Sequence, residues 1–213
     1  MFEYISRLFL WDYNQKNLDK LRPKVEEINK YCGTLDEQSD AIIQQKTIEL
    51  QNQYQDWVWL DGLLVEAFAV VKQACKRLDG QTFRIKGERK QRSMIPYDVQ
   101  LLWWIIMHNG HIAEMKTWEW KTLVAALPAY LNSLTGNPVH IVTVNDYLAS
   151  RDADRIGVLY EWLWLRVGCV TKWLPNDKKK EQYWSDIVYV ENSELGFDYL
   201  RDNLVKSKDQ RVL

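Results

Sequence analysis

The stretch Val139-His-Ile-Val-Thr-Val-Asn-Asp-Tyr-Leu-Ala-Ser-Arg-Asp-Ala153 begins as a short apolar run, Val139 to Val144, and gives way to a helical pattern from Ser150 to Leu163. The same change of period recurs on either side of it. Ile112 to Met115 precedes a helical stretch from Thr122 to Leu134, Val167 to Thr171 precedes Lys178 to Tyr183, and Asp186 to Val190 precedes Ser193 to Leu204. Strands that alternate with helices are joined by crossovers, so they lie parallel and are covered by helices on both faces. The predicted class is α/β, with ligands expected at the carboxyl ends of the strands.

Upstream the pattern is helical from Gln15 to Leu78, beginning with Leu18, Leu21, Val25 and Ile28 at three- and four-residue steps. A more polar run covers Asp40 to Tyr54. A third begins after Asp61, read as its N-cap, and carries Leu64, Ala67, Phe68, Val71, Ala74 and Cys75. Asp79 to Ser93 holds Arg84, Lys86, Arg89, Lys90 and Arg92 with little apolar content, which predicts a solvated loop or ragged hairpin, or else a surface for an acidic lipid or partner. The division that follows is a helical segment with a basic connector over residues 1–93, then the strand–helix domain over 94–213.

Composition narrows the partners. With 213 residues and a formal net charge of -1, the chain lacks the basic balance of a domain that binds nucleic acid through many phosphate contacts. Cys32, Cys75 and Cys169 show no C-x-x-C spacing, so neither a disulfide framework nor a zinc site is indicated and a reducing cytoplasm fits best. The start, MFEYISRLFLW, is interrupted by Glu3 and Arg7, far short of a membrane-spanning run, so any membrane association is expected to be peripheral. His108 and His111 flank an Asn-Gly turn, an arrangement more often exposed than metal-ligating. His140 alternates within a strand, and none of the three carries a catalytic role.

The chemistry lies in Ala113-Glu-Met-Lys-Thr-Trp-Glu-Trp-Lys-Thr122, which puts Lys121 and Thr122 where a short strand meets a helix. At such a junction N–H groups at the helix start face phosphates, a lysine neutralises them, and a Ser or Thr hydroxyl ligates magnesium. A Lys-Thr pair by itself is a weak signal, because most such dipeptides are surface residues.

Longer blocks carry more. LLVEAFAVVKQA (Leu63 to Ala74), YDVQLL (Tyr97 to Leu102), HIAEMKT (His111 to Thr117), LPAYLNSLTG (Leu127 to Gly136), VHIVTVNDYLASRDA and ELGFDYLRDNL (Glu194 to Leu204) together resemble SecA, the motor ATPase family of bacterial and plastid protein export, over nearly the whole chain. The resemblance implies an N-terminal helical segment followed by the first of two RecA-like, DEAD-like motor domains, with ATP in the cleft between them. It implies that Gln100 contacts adenine with Met94 and Tyr97 near the base. The loop Trp118, Glu119, Trp120, Lys121 and Thr122 would hold the phosphates, with Glu119 turned away and Thr122 on Mg2+. Asp146, Arg151 and Arg201 would form ion pairs between motifs or domains, or serve as helix caps and surface salt bridges. The implied function is the ATP-binding part of the Sec preprotein translocase motor, which couples hydrolysis to export through the SecYEG channel. The implied partners are SecYEG, preproteins, an anionic membrane surface and a second SecA copy, at the cytoplasmic face of the cell membrane. A helicase half shares the motor fold and is disfavoured by the charge.

Two departures from the family pattern bear on activity. The acidic Asp-Glu strand expected soon after Asp202-Asn203 is not among these 213 residues, nor is a second motor domain, so the chain reads as a fragment that does not hydrolyse ATP alone. The phosphate loop reads W-E-W-K-T where the family has G-E-G-K-T. Glycine lets backbone approach phosphate closely, and an indole would fill that space. The alternative function is accordingly a non-catalytic SecA-like interaction fragment.

The tryptophans share one feature. Trp, at 11, outnumbers Gly, at 9, whereas average usage of about 7% Gly would give roughly 15. Trp11, Trp57, Trp103, Trp104, Trp118, Trp120, Trp164 and Trp173 fall where SecA proteins usually carry glycine, including paired small residues and tight turns that an indole would overpack or strain. Decoding of UGA as glycine rather than tryptophan would account for the excess and the deficit together and would restore G-E-G-K-T. Trp162 reads as a true aromatic position, and Trp59 and Trp184 as open.

Overall fold

The computed structural model describes residues 2–85, 88–91, 94–115 and 121–213. Three helices come first, α1 (Phe2–Thr34), α2 (Asp40–Gln55) and α3 (Leu60–Leu78). The amphipathic pattern sets their packing: Val25 and Ile28 of α1 and Ile43 and Leu50 of α2 are buried around α3. α3 buries Leu63, Leu64, Ala67, Phe68, Val71 and Ala74, having an apolar stripe broad enough to meet helices on several sides. Asp61 is not its N-cap. The helix starts at Leu60 from an extended Trp59, and the Asp61 carboxylate in the first turn instead meets His108 Nε2 at 3.0 Å. The His108 side chain is only 10% exposed, so the expected solvent-facing histidine is a tie between helices.

The basic connector forms an antiparallel hairpin, β1 (Thr82–Ile85) with β2 (Glu88–Gln91). Next come α4 (Asp98–His108), α5 (Lys121–Val124) and α6 (Ala126–Ser133). Pro128 accounts for the break between α5 and α6, because it has no N–H for the Val124 carbonyl and its ring crowds that group. Lys72 joins three elements: its Nζ donates to Asn29 Oδ1 of α1 at 2.6 Å and lies 3.3 Å from Asp98 Oδ1 at the start of α4.

The remaining elements alternate: β3 (Val139–Thr143), α7 (Asp146–Trp162), β4 (Val167–Val170), α8 (Asn176–Tyr183), β5 (Ile187–Glu191) and α9 (Asn192–Leu204). The strands form one parallel sheet in the order β3-β5-β4. Central β5 is buried on both faces, and its apolar run Ile187-Val-Tyr-Val190 reflects that. α6 and α7 cover one face and α8 and α9 contact the sheet strands as well. A smaller cluster of Val170, Tyr183, Val188, Val190 and Val212 lies apart from the main core, with Leu195 against it. The main core runs from Val25 to Tyr189, so apolar residues on both sides of position 93 pack together. Ile112 to Met115, expected as a strand, joins neither sheet of the described residues. Trp104 is fully buried and edge-on to Phe68, at 6.1 Å between ring centroids, and its buried indole N–H finds no hydrogen-bond acceptor among the described residues.

At Gly168 in β4 a Cβ would stand 2.3 Å from the Gln182 carbonyl oxygen. Only glycine allows α8 to end so close to the sheet, with the Gln182 side chain turned back to accept the Cys169 N–H at 2.9 Å.

Candidate functional site

Lys121 and Thr122 open α5, and α5 contacts α4, α6 and α7. Lys121 is exposed, while Thr122 is half-buried and directs its hydroxyl to Asp152 of α7 over long distances of 3.4 and 3.5 Å. The stronger partner of Asp152 is Arg151, whose Nε donates to Oδ1 at 2.8 Å. The expected ion pair of Arg151 is therefore with its chain neighbour, facing the Lys-Thr corner. A cationic side chain beside a hydroxyl held only by long contacts is a donor set that fits a phosphate–magnesium group. Trp118, Glu119 and Trp120 lie outside the described residues.

The three residues expected near the base gather at the entrance of α4. Tyr97 caps that helix from an extended conformation and stands exposed. Its backbone N–H donates to Gln100 Oε1 at 2.9 Å, which draws the Gln100 side chain back over the first turn and buries it. Met94 packs against the main core. The residue expected to contact adenine is thus part of the cap of α4. Contact between α4 and α5 brings this entrance and the Lys-Thr corner onto adjoining helices.

Asn145 caps α7, accepting the Leu148 N–H at 2.8 Å, and Asp146 Oδ2 accepts the Lys172 N–H beyond β4 at 3.1 Å. These two bonds fix the TVND segment at the carboxyl ends of β3 and β4.

A second cluster lies beyond the carboxyl ends of β4 and β5. Lys179 of α8 is 2% exposed and pairs with Glu194 and with Asp198, the latter at 3.0 Å, both on α9. Arg201 joins the same two carboxylates at 3.1 and 2.5 Å, and Tyr183 donates to Asp198 Oδ2 at 2.9 Å. Burial pushes the Glu194 carboxyl up, yet hydrogen bonds from Lys179 and Arg201 outweigh it and hold the group below its ordinary value. Burial first, then the bond to Asp198, raises the Tyr183 phenol far above its usual range. The cluster floors a cleft of about 430 Å³ that Lys172, Asn176, Glu191 and Ser193 also line. Sequence reasoning found Arg201 but missed Lys179, which in the run Lys178-Lys-Lys180 looks like solvated charge. Its one signal was position, since Tyr183 follows it by one helical turn.

Among the described residues no group of His, Cys, Asp and Glu is placed to hold a metal, and no helix is long and apolar enough to cross a membrane.

Helices packed on a parallel sheet, with a Lys-Thr pair opening a helix beside the sheet-covering α7, define an α/β domain of the RecA-like, DEAD-like kind. The family model described as SecA DEAD-like domain matches residues 6–213, and the chain belongs to that family. Among curated relatives it is 46% identical, over all 213 residues, to the protein translocase subunit SecA of Chlamydia caviae and to that of Chlamydia abortus. It is 43% identical over 210 residues to that of Chlamydia muridarum. In each case the chain spans 22% of the relative's length.

Proposed function

We propose that this chain is the ATP-binding part of a SecA motor, which couples nucleotide hydrolysis to preprotein export through a SecYEG channel. The observation that carries the reading is the Lys121-Thr122 corner at the start of α5, set against Arg151-Asp152 of α7 in a member of the SecA DEAD-like family. Lys121 and the helix-start N–H groups would neutralise phosphate oxygens, Thr122 would ligate Mg2+, and Gln100, Met94 and Tyr97 would border the base. The ion, when held there, would supply positive charge against that of the phosphates. Arg151 lies 2.7 Å from the Asp152 carboxylate, and the Thr122 hydroxyl, donating only weakly to that carboxylate at 3.4 Å, keeps its oxygen lone pairs to turn toward the ion. SecYEG, preproteins, anionic lipid and a second SecA copy are the proposed partners, at the cytoplasmic face of the membrane.

The test is equilibrium binding of a fluorescent ATP analogue with Mg2+ to the chain carrying Trp118→Gly and Trp120→Gly. Binding is expected, with at least a tenfold loss on adding Lys121→Ala. Absence of binding by the glycine-bearing chain overturns the reading. The sequence W-E-W-K-T favours a second one, a non-catalytic interaction fragment, and binding of the analogue by neither form would promote it.

A further inference from the structure

Five residues among those described have positive φ: Gly80, Gly110, Gly136, Trp57 and Trp164. No Asn or Asp, the side-chain-bearing residues that best tolerate this region, is among them. Both tryptophans sit just past a helix end, and both repeat a hydrogen-bond pattern that the chain makes elsewhere with glycine. After α4, Gly110 (φ 77°) donates to Met107 O at 3.0 Å and His111 donates to Ile106 O at 3.2 Å. After α2, Trp57 (φ 69°) donates to Tyr54 O at 3.1 Å and Val58 to Gln53 O at 3.0 Å. After α7, Trp164 (φ 64°) donates to Glu161 O at 3.0 Å and Leu165 to Tyr160 O at 3.0 Å. This is the paired closure in which a left-handed residue ends a helix, a place glycine fills because it has no Cβ to clash.

The two indoles stay at least half exposed despite that strain. Trp57 is 87% exposed and Trp164 is 51% exposed. Trp162, two residues before Trp164, differs on both counts, since it lies in α7 without positive φ and packs against the main core.

We infer that positions 57 and 164 are glycine in the protein its organism makes, encoded by UGA codons that the organism decodes as glycine. UGA differs from the glycine codon GGA in its first base and from the tryptophan codon UGG in its third. A glycine tRNA with one altered anticodon base therefore reads it, while a code that assigns UGA to tryptophan gives the residues seen here. The inference rests on backbone geometry and stands apart from the nucleotide-binding reading. The same decoding at codons 118 and 120 would turn W-E-W-K-T into G-E-G-K-T.

The gene's codons and peptide masses from the source organism test this directly. UGA at codons 57 and 164, with UGG at codon 162 as the internal contrast, and glycine masses at both positions are expected. UGG at either codon, or a tryptophan mass at either position, overturns the inference. Thermal unfolding of the chain as written supplies a second arm. Trp57→Gly and Trp164→Gly are each expected to raise Tm by about 2–4 °C, whereas Trp57→Ala and Trp164→Ala gain less because alanine also resists positive φ. Alanine variants that match or exceed the glycine variants, or glycine variants no more stable than the parent, count against it.

Discussion

Lys179 of α8 sets its ammonium 3.0 Å from the Asp198 carboxylate of α9, with both side chains almost wholly buried. Glu194 and Tyr183 complete the surroundings, and Arg201 closes the cluster toward solvent. Removing one partner from such a group leaves buried charge uncompensated. Lys179→Met is therefore expected to destabilise the chain by about 3–5 kcal/mol. Urea unfolding checks it, through a lowered midpoint at unchanged slope. Adding Asp198→Asn should recover part of the loss, because the pair is coupled.

The same cluster gives the chain an acid-side dependence. The folded Glu194 carboxyl sits below its ordinary value, so the folded state binds fewer protons there than the unfolded chain does. Its contribution is fully present above the ordinary glutamate value of about 4.3 and is lost as pH falls through the lower folded value. Unfolding midpoints measured between pH 6 and 3, here about those limits, should fall less steeply at the acid end for Glu194→Gln than for the parent. Equal slopes would show that the pairing does not govern this window.

Two glycine-to-alanine substitutions should have opposite signs. At Gly168 the added Cβ meets the Gln182 backbone oxygen, which cannot move without shifting the end of α8, and a loss of about 1–3 kcal/mol is expected. At Gly33, near the end of α1, nothing lies within 4 Å of the added carbon and φ is not positive, so alanine should gain about 0.4–1 kcal/mol. Thermal unfolding of the two variants separates the cases.

The contrast shows which features could be read from sequence. Alternation of apolar runs with helical periods located β3, β4 and β5 and their helices, because each run needs burial on a period set by backbone geometry. Ile112 to Met115 has the same composition as a strand and joins no ladder of the described residues, since composition specifies burial but not a hydrogen-bonding neighbour. Asp61 illustrates a second limit. A cap and a long-range partner call for the same short carboxylate, and only the fold places His108 beside it. In the candidate site Lys121 and Thr122 were legible from their junction with a helix. Asp152 as the acceptor of the Thr122 hydroxyl was not, because a separation of 30 positions carries no periodic relation.

Membrane association, if the proposed partner is correct, should be electrostatic. Val25 and Ile28 of α1 are buried in the chain's own core, with Leu18 and Leu21 packed against it, so this stripe is not available for insertion into lipid. Lys16, Lys20 and Arg22 remain on the exposed side. Flotation with vesicles rich in phosphatidylserine should exceed flotation with neutral vesicles, and the difference should vanish at high salt. Equal flotation with both would remove lipid from the partners proposed for this helix.

Hydrolysis is expected to separate from binding. A polypeptide of these 213 residues contains the Lys-Thr corner and the TVND and GFDYLRDN segments, and among its described residues no group of His, Cys, Asp and Glu is placed to hold a metal. Electrostatic stabilisation of the transferring phosphoryl group must come from both sides of the nucleotide, and by the proposed reading Lys121 with the start of α5 would supply one of them. The chain carrying Trp118→Gly and Trp120→Gly is accordingly expected to bind the nucleotide and to release no phosphate above background, even at saturating ATP and Mg2+. Steady phosphate release abolished by Lys121→Ala would show that these residues suffice for catalysis, contrary to this expectation. Binding without release would place the missing chemistry in groups that approach the exposed Lys121 side of the corner.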